Sequence, residues 1–205
     1  MGNIFLAKSN GETVVEHTKK LIQNFEKLIE LYPNIEVDKR LLLLACIYHD
    51  LGKINAKFQY KVSNEKRKNL LKEKYEIDLK KNEIPHGILS TAFINDDILI
   101  DFHGFNEEEI KILAHSVALH HARNLLEISE SDVLDEINSM NKEISRNFSN
   151  ELRELEIMYF KYFNNTKNYK SKNVIFNWKD GKVKLEELSS LFYEIGSQIY
   201  SDSEN

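Results

Sequence analysis

Apolar residues recur at helical spacing along most of this chain. In residues 12–31, Val14, Val15, Leu21, Ile22, Phe25, Leu28 and Ile29 fall at such spacing, and Pro33-Asn34 closes the segment. Residues 38–51 form a second predicted helix. Asp38 caps its start, and it is apolar nearly all round through Leu41-Leu42-Leu43-Leu44-Ala45-Cys46-Ile47. A helix with no polar face belongs at the centre of a bundle, so its last turn, which carries His49-Asp50, is expected near the interior. Gly52 is placed to stop it. Pro85 opens a predicted helix over 86–95, Asn106 caps another over 107–121, and two more cover 132–148 and 150–163. Residues 170–184 are less helical: apolar runs on either side of Asp180-Gly181 suit one short β-hairpin within 174–183. A final helix is expected from 185 to about 201. The pattern predicts an all-α bundle.

Composition agrees with this reading. With 205 residues, 41% hydrophobic and 30% charged, the chain fits a single domain over 1–205 that can bury a core. Two prolines and seven glycines leave room for long helices. The one cysteine, Cys46, excludes an internal disulfide, fits a reducing cytoplasm, and lies in an apolar run where it reads as core. No stretch approaches the roughly 20 apolar residues of a membrane span. The first residues lack the features of a signal peptide or a myristoylation motif. A cytoplasmic protein with no membrane partner is expected.

A net charge of -5 makes no whole-chain case for nucleic-acid binding, but charge is unevenly spread. Residues 57–81 hold Lys57, Lys61, Lys66, Arg67, Lys68, Lys72, Lys74, Lys80 and Lys81 against four acidic residues. That segment suits a single-strand path, with cations for the backbone and Phe58, Tyr60 and Tyr75 to stack bases. It equally suits a solvated helix or loop.

The candidate chemistry lies in the order His17, His49-Asp50, His86, His120-His121, Asp202. Adjacent residues on a helix point about 100° apart, so both members of His49-Asp50 can turn towards one terminus. A carboxylate can bridge two cations and an imidazole cannot, which makes Asp50 the natural bridge. His120-His121 can supply two imidazoles in the same way, and His17, His86 and Asp202 would complete two shells. Mixed His/carboxylate shells favour Mn, Fe, Co or Ni, with Zn also suited, over Mg or Ca. Two such ions make a clamp for phosphoester hydrolysis. A buried His-Asp pair at the end of an apolar helix is costly without such compensation. His103 and His115 read as structural. His115 lies about 140° and about 120° around the helix from His120 and His121.

These residues resemble the HD phosphohydrolase superfamily. The flanks Ala7-Lys8-Ser9-Asn10-Gly11-Glu12-Thr13, ending at His17-Thr18, and His49-Asp50-Leu51-Gly52-Lys53-Ile54-Asn55-Ala56-Lys57-Phe58-Gln59 are similar to the HD nuclease domain of the CRISPR-associated helicase-nuclease of type I systems. Pro85-His86-Gly87-Ile88-Leu89-Ser90 and Leu119-His120-His121-Ala122-Arg123 fit the same pattern. The resemblance spans essentially the whole chain. It implies an HD-domain helical bundle that degrades single-stranded DNA in antiviral defence. It also implies one metal among His17, His49, Asp50 and Asp202 and a second among Asp50, His86, His120 and His121. Lys53, three residues past Asp50, would hold a phosphate oxygen, and Ser90 could add a polar contact. The implied partners are a helicase domain in cis or trans and an RNA-guided surveillance complex.

No GxxxxGK[ST] motif is present, so no ATP site of that kind is expected. The chain reads as a stand-alone subunit or as a fragment of a longer helicase-nuclease, the latter suggested by Ser201-Asp202-Ser203-Glu204-Asn205 at its end. Two alternatives remain. One is an HD enzyme acting on nucleotides or cyclic dinucleotides, and the other is a non-catalytic binding module.

Overall fold

The computed structural model describes residues 5–75, 83–121, 129–163 and 175–185. Among them are nine α-helices, α1 (Val14–Leu31), α2 (Lys39–Tyr48), α3 (Ala56–Val62), α4 (Glu65–Tyr75), α5 (His86–Thr91), α6 (Asp96–His103), α7 (Glu107–Ala118), α8 (Glu130–Asn147) and α9 (Ser149–Phe163). One hairpin follows, β1 (Trp178–Lys179) and β2 (Lys182–Val183). The all-α expectation holds. The expected final helix, Lys80, Lys81 and Asp202 lie outside the described residues. No described helix is long and apolar enough to cross a membrane.

Local chemistry sets most helix starts. Thr13 and Glu16 form a reciprocal capping box at α1, and Asn106 and Glu109 form another at α7. Asp38 caps α2 by accepting from the amides of Arg40 and Leu41. The helix α6 had no counterpart in the apolar pattern; Asn95 starts it and Gly104, in a left-handed conformation, ends it. His103 therefore sits in the last turn of a helix. It packs on Tyr159, and its carbonyl accepts from Arg40.

As its sequence requires, α2 is central: Leu43, Leu44, Ile47 and Tyr48 are fully buried. It packs on α1, α7 and α9. The hairpin turns through Asp180 and Gly181, both with positive φ, as an Asp-Gly turn demands. It is shorter than expected, pairing only Trp178 with Val183 and Lys179 with Lys182. The segment leading into it is tied to the core at both ends. The Tyr48 hydroxyl donates to the Ile175 carbonyl, and buried Glu156 accepts from the Ile175 amide and the Trp178 indole.

The chain departs from the expected helix limits where chemistry is concentrated. The second helix stops at Tyr48, not 51, with His49 as its C-cap. The third predicted helix ends at Thr91 and the fourth at Ala118, so His120-His121, like His49-Asp50, follows a helix end. A 3-10 turn then runs over Leu51–Ile54. Gly52 is inside that turn and is not among the positive-φ residues, so it is not a helix stop. Its function is contact. A Cβ at Gly52 would lie 2.1 Å from the His86 carbonyl oxygen and 2.7 Å from the Ser90 amide nitrogen. Gly87 is similar, with its virtual Cβ 2.5 Å from the Ala118 carbonyl oxygen. These two glycines let α5 lie directly against the 3-10 turn on one side and α7 on the other. Because the obstacles are backbone atoms, Gly52→Ala is expected to destabilise the protein by about 3 kcal/mol, measured by urea denaturation.

Candidate metal centre

Asp50 is 1% exposed and occupies the turn between α2 and the 3-10 turn. Its two carboxylate oxygens face different groups. Oδ2 lies 3.2 Å from both His17 Nε2 and His49 Nε2. Oδ1 lies 3.2 Å from His86 Nε2 and 3.4 Å from His120 Nε2. His17 comes from α1, His86 from the start of α5, and His120-His121 from just past α7. Two ligand groups result, His17-His49-Asp50 and Asp50-His86-His120-His121, each with donor atoms within 4.8 Å of one another. Six of the seven predicted ligands thus converge. Asp202, the seventh, is outside the described residues. His115, half-buried in α7, and His103 join neither group.

The donor chemistry fits cations. The Nδ1–H of His49 points at the Cys46 carbonyl, 2.9 Å away, and that of His120 at the Val117 carbonyl, 2.6 Å away. Each contact leaves Nε2 bare and able to ligate. Asp50 Oδ1, His86 Nε2 and His120 Nε2 are buried and have no hydrogen-bond partner. A carboxylate oxygen facing an imidazole lone pair at such distances is repulsive unless something positive lies between them. Buried unsatisfied atoms of this kind are rare, and a metal accounts for all three at once.

Electrostatics point the same way. Burial pushes the Asp50 carboxyl up; it is lowered below the usual carboxylate range only where His120, His49 and His86 donate to it, and with bare Nε2 atoms a cation would take over that role. Burial is the main cause that lowers His17, partly offset by Asp50. Burial also lowers His121, reinforced by His120 and His86. Their rings are therefore neutral, metal-ready donors at neutral pH. The unfolded chain binds protons on these rings more readily, so stability rises with pH across this range. The apo protein is expected to lose stability as pH falls from the ordinary imidazole value of 6.5 through the lowered folded values. Metal should dissociate in the same window, since protonated rings cannot ligate. Metal content after dialysis at about pH 7.5 and about pH 5.5 checks this.

Lys53 is 7% exposed, and its ammonium donates to Asp50 Oδ2 at 2.8 Å. It is a buried partner of Asp50 and not an exposed salt bridge. Phe58 is also buried, packed on His86 and beneath Lys53, so it is not free to stack a base as expected. In the basic segment, Lys61 pairs with Glu83, Lys68 pairs with Glu65 beside Tyr60, and Arg67 donates to Gln59. Lys57 is engaged within the fold and Lys66 is exposed.

Three supporting residues were not singled out by sequence reasoning. Gln59, 1% exposed, donates to the Leu6 and Lys53 carbonyls and accepts from the Leu6 amide, pinning the N-terminal segment to the 3-10 turn. Glu12 faces His17 Nδ1 at 3.7 Å, and Lys20 and then Lys8 lower its carboxyl to about 2. Gly87 sets the α5–α7 approach. All three lie in the stretches that carry the family resemblance, but nothing local shows what they do.

An adjacent His-Asp on a tight turn at the heart of a helical bundle, with further histidines converging on it, defines an HD-type domain. The family model described as Cas3, HD domain matches residues 11–182, and the chain belongs to that family. Its members are CRISPR-associated HD-type phosphohydrolases. Among solved structures, the chain is similar to a CRISPR-associated Cas3 HD domain protein from Methanocaldococcus jannaschii. That match is 18% identical, covers 80% of this chain and 91% of that chain, and has a TM-score of 0.43. No match was found among curated proteins.

Proposed function

We propose that this protein is a metal-dependent nuclease that hydrolyses phosphodiester bonds of single-stranded DNA in CRISPR interference. The observation that carries this reading is the division of Asp50: one oxygen faces His17 and His49 while the other faces His86 and His120. The residues would hold two divalent ions of the Mn, Fe, Co or Ni type. Asp50 is shared, His17 and His49 (with Asp202) serve one ion, and His86, His120 and His121 serve the other. When bound, such a pair supplies an activated water and charge stabilisation for the leaving oxygen.

The chain's own groups provide the rest. The side chains of His17, His49, His86 and His120 are 26%, 13%, 15% and 17% exposed above a buried Asp50, which suits a polymer that lies across the site. Lys53 balances Asp50 and would turn to a phosphate oxygen when substrate binds. Lys57, Lys61, Lys66, Arg67 and Lys68 line the elements that follow and would track the DNA backbone. A helicase domain in cis or trans would feed the strand, and an RNA-guided surveillance complex would recruit it.

The test is cleavage by purified protein across Mn, Fe, Co, Ni and Zn, with elemental analysis of the same preparation. Single-stranded DNA should be cut in a metal-dependent manner, more weakly at high salt. Hydrolysis of nucleotides or cyclic dinucleotides alone would favour the small-molecule alternative. Absence of both metal uptake and cleavage would favour a binding module.

A further inference from the structure

The carboxylate that both ligand groups share is flanked by two backbone groups that the local structure cannot satisfy. Before it comes the His49 carbonyl, among the last carbonyls of α2, which have no intrahelical donor. After it comes the Gly52 amide, within the first turn of the 3-10 segment. One side chain serves both. Ser90 Oγ accepts from the Gly52 amide at 2.8 Å and donates to the His49 carbonyl at 2.9 Å. Ser90 is 0% exposed, so water does not compete for either bond.

Ser90 also sits one helical turn beyond His86 on α5, so the helix that delivers the His86 imidazole is bolted to the turn that delivers Asp50. The absence of a Cβ at Gly52 lets the two backbones touch, but touching does not fix where along α5 the turn rests. A hydroxyl that must bond in two directions does.

We propose that Ser90 is a positioning residue that sets the register between His86 and Asp50 and thereby builds the Asp50-His86-His120-His121 cation site. The proposal rests on the two-cation reading above. Without the hydroxyl, the His49 carbonyl and the Gly52 amide are both buried and unpaired, and the α5 contact shifts to relieve them. His17 comes from α1, and the His49 ring is held by the Cys46 carbonyl of α2, so although the His49 carbonyl loses its Ser90 donor, that group keeps its own supports and survives. Loss of a supporting hydrogen bond of this kind costs about 10- to 100-fold in metal affinity.

Titration of the apo protein with Mn²⁺, followed by electron paramagnetic resonance well below the unfolding temperature, tests this. The wild type should bind two ions and give the exchange-coupled signal of a close pair. Ser90→Ala should bind the second ion about 10- to 100-fold more weakly and give single-ion signals at the same total Mn²⁺. Ser90→Cys, which keeps the volume but hydrogen-bonds poorly, gives the same readout if Ser90→Ala does not fold. Leu152→Ala, a cavity variant in α9, which carries none of the described candidate ligands, controls for general destabilisation and should keep the coupled signal. Wild-type affinity for the second ion in the folded Ser90 variant overturns the positioning role, as does equal loss in Leu152→Ala. A wild type that binds no ion pair at all overturns the two-cation reading, and this proposal with it.

Discussion

Asp50→Asn is expected to lower metal-dependent cleavage of single-stranded DNA by about a thousandfold and to remove both cations together. The substitution is nearly isosteric, so the fold should persist, but the shared negative charge is gone. Each oxygen of Asp50 serves a different set of imidazoles. An amide has one oxygen and one nitrogen, and the nitrogen cannot ligate. Loss at a residue serving only one group, such as His17, should leave the other ion in place. The discriminating measurement is therefore ions bound per chain for Asp50→Asn beside His17→Ala, together with the cleavage rate. Asp50→Asn retaining one ion and substantial activity would show that the two groups do not share this carboxylate.

Lys53→Met is expected to destabilise the metal-free protein by about 3 kcal/mol and to do far less once metal is bound. Among the described residues, Lys53 is the one lysine or arginine paired with Asp50, its ammonium at 2.8 Å, and both side chains are almost wholly buried. Removing it leaves a buried carboxylate without its counter-ion. A divalent ion supplies the missing charge directly, and at about 100 times its dissociation constant adds about 2.7 kcal/mol by mass action. Urea denaturation of both proteins, with and without Mn²⁺, reads this out. Equal destabilisation in the two conditions would mean that Lys53 acts through packing on Phe58 rather than through charge.

The places where sequence reasoning succeeded share a cause. Asp38, Asn106 and Asp180-Gly181 act within a few residues of themselves, so a cap or a turn can be read where it stands. The apolar circumference of α2 could be read because a side chain that avoids water says so wherever it lies. The helix limits failed where tertiary contact overrides local preference. The predicted second helix runs on through His49-Asp50 to Leu51, yet the chain turns at His49 and packs the 3-10 segment against α5. Phe58 looked like a free aromatic because its burial against His86 depends on a helix that lies far along the chain. Ser90 was legible only as a polar neighbour of His86. Its bonds run to residues 38 and 41 positions away, which no window over the sequence can see.

The sequence by itself determined the class of fold and some of the helix caps, and it singled out the histidines and Asp50 as candidate ligands with Asp50 as the candidate bridge, because those follow from side-chain chemistry and local periodicity. Only the tertiary structure decided that His17, His86 and His120 reach that carboxylate from separate elements, that Lys53 neutralises it, and that Gly52, Gly87 and Ser90 set the spacing. Those are distances between remote segments, fixed by how closely three backbones can approach, and spacing of that kind is a property of packing.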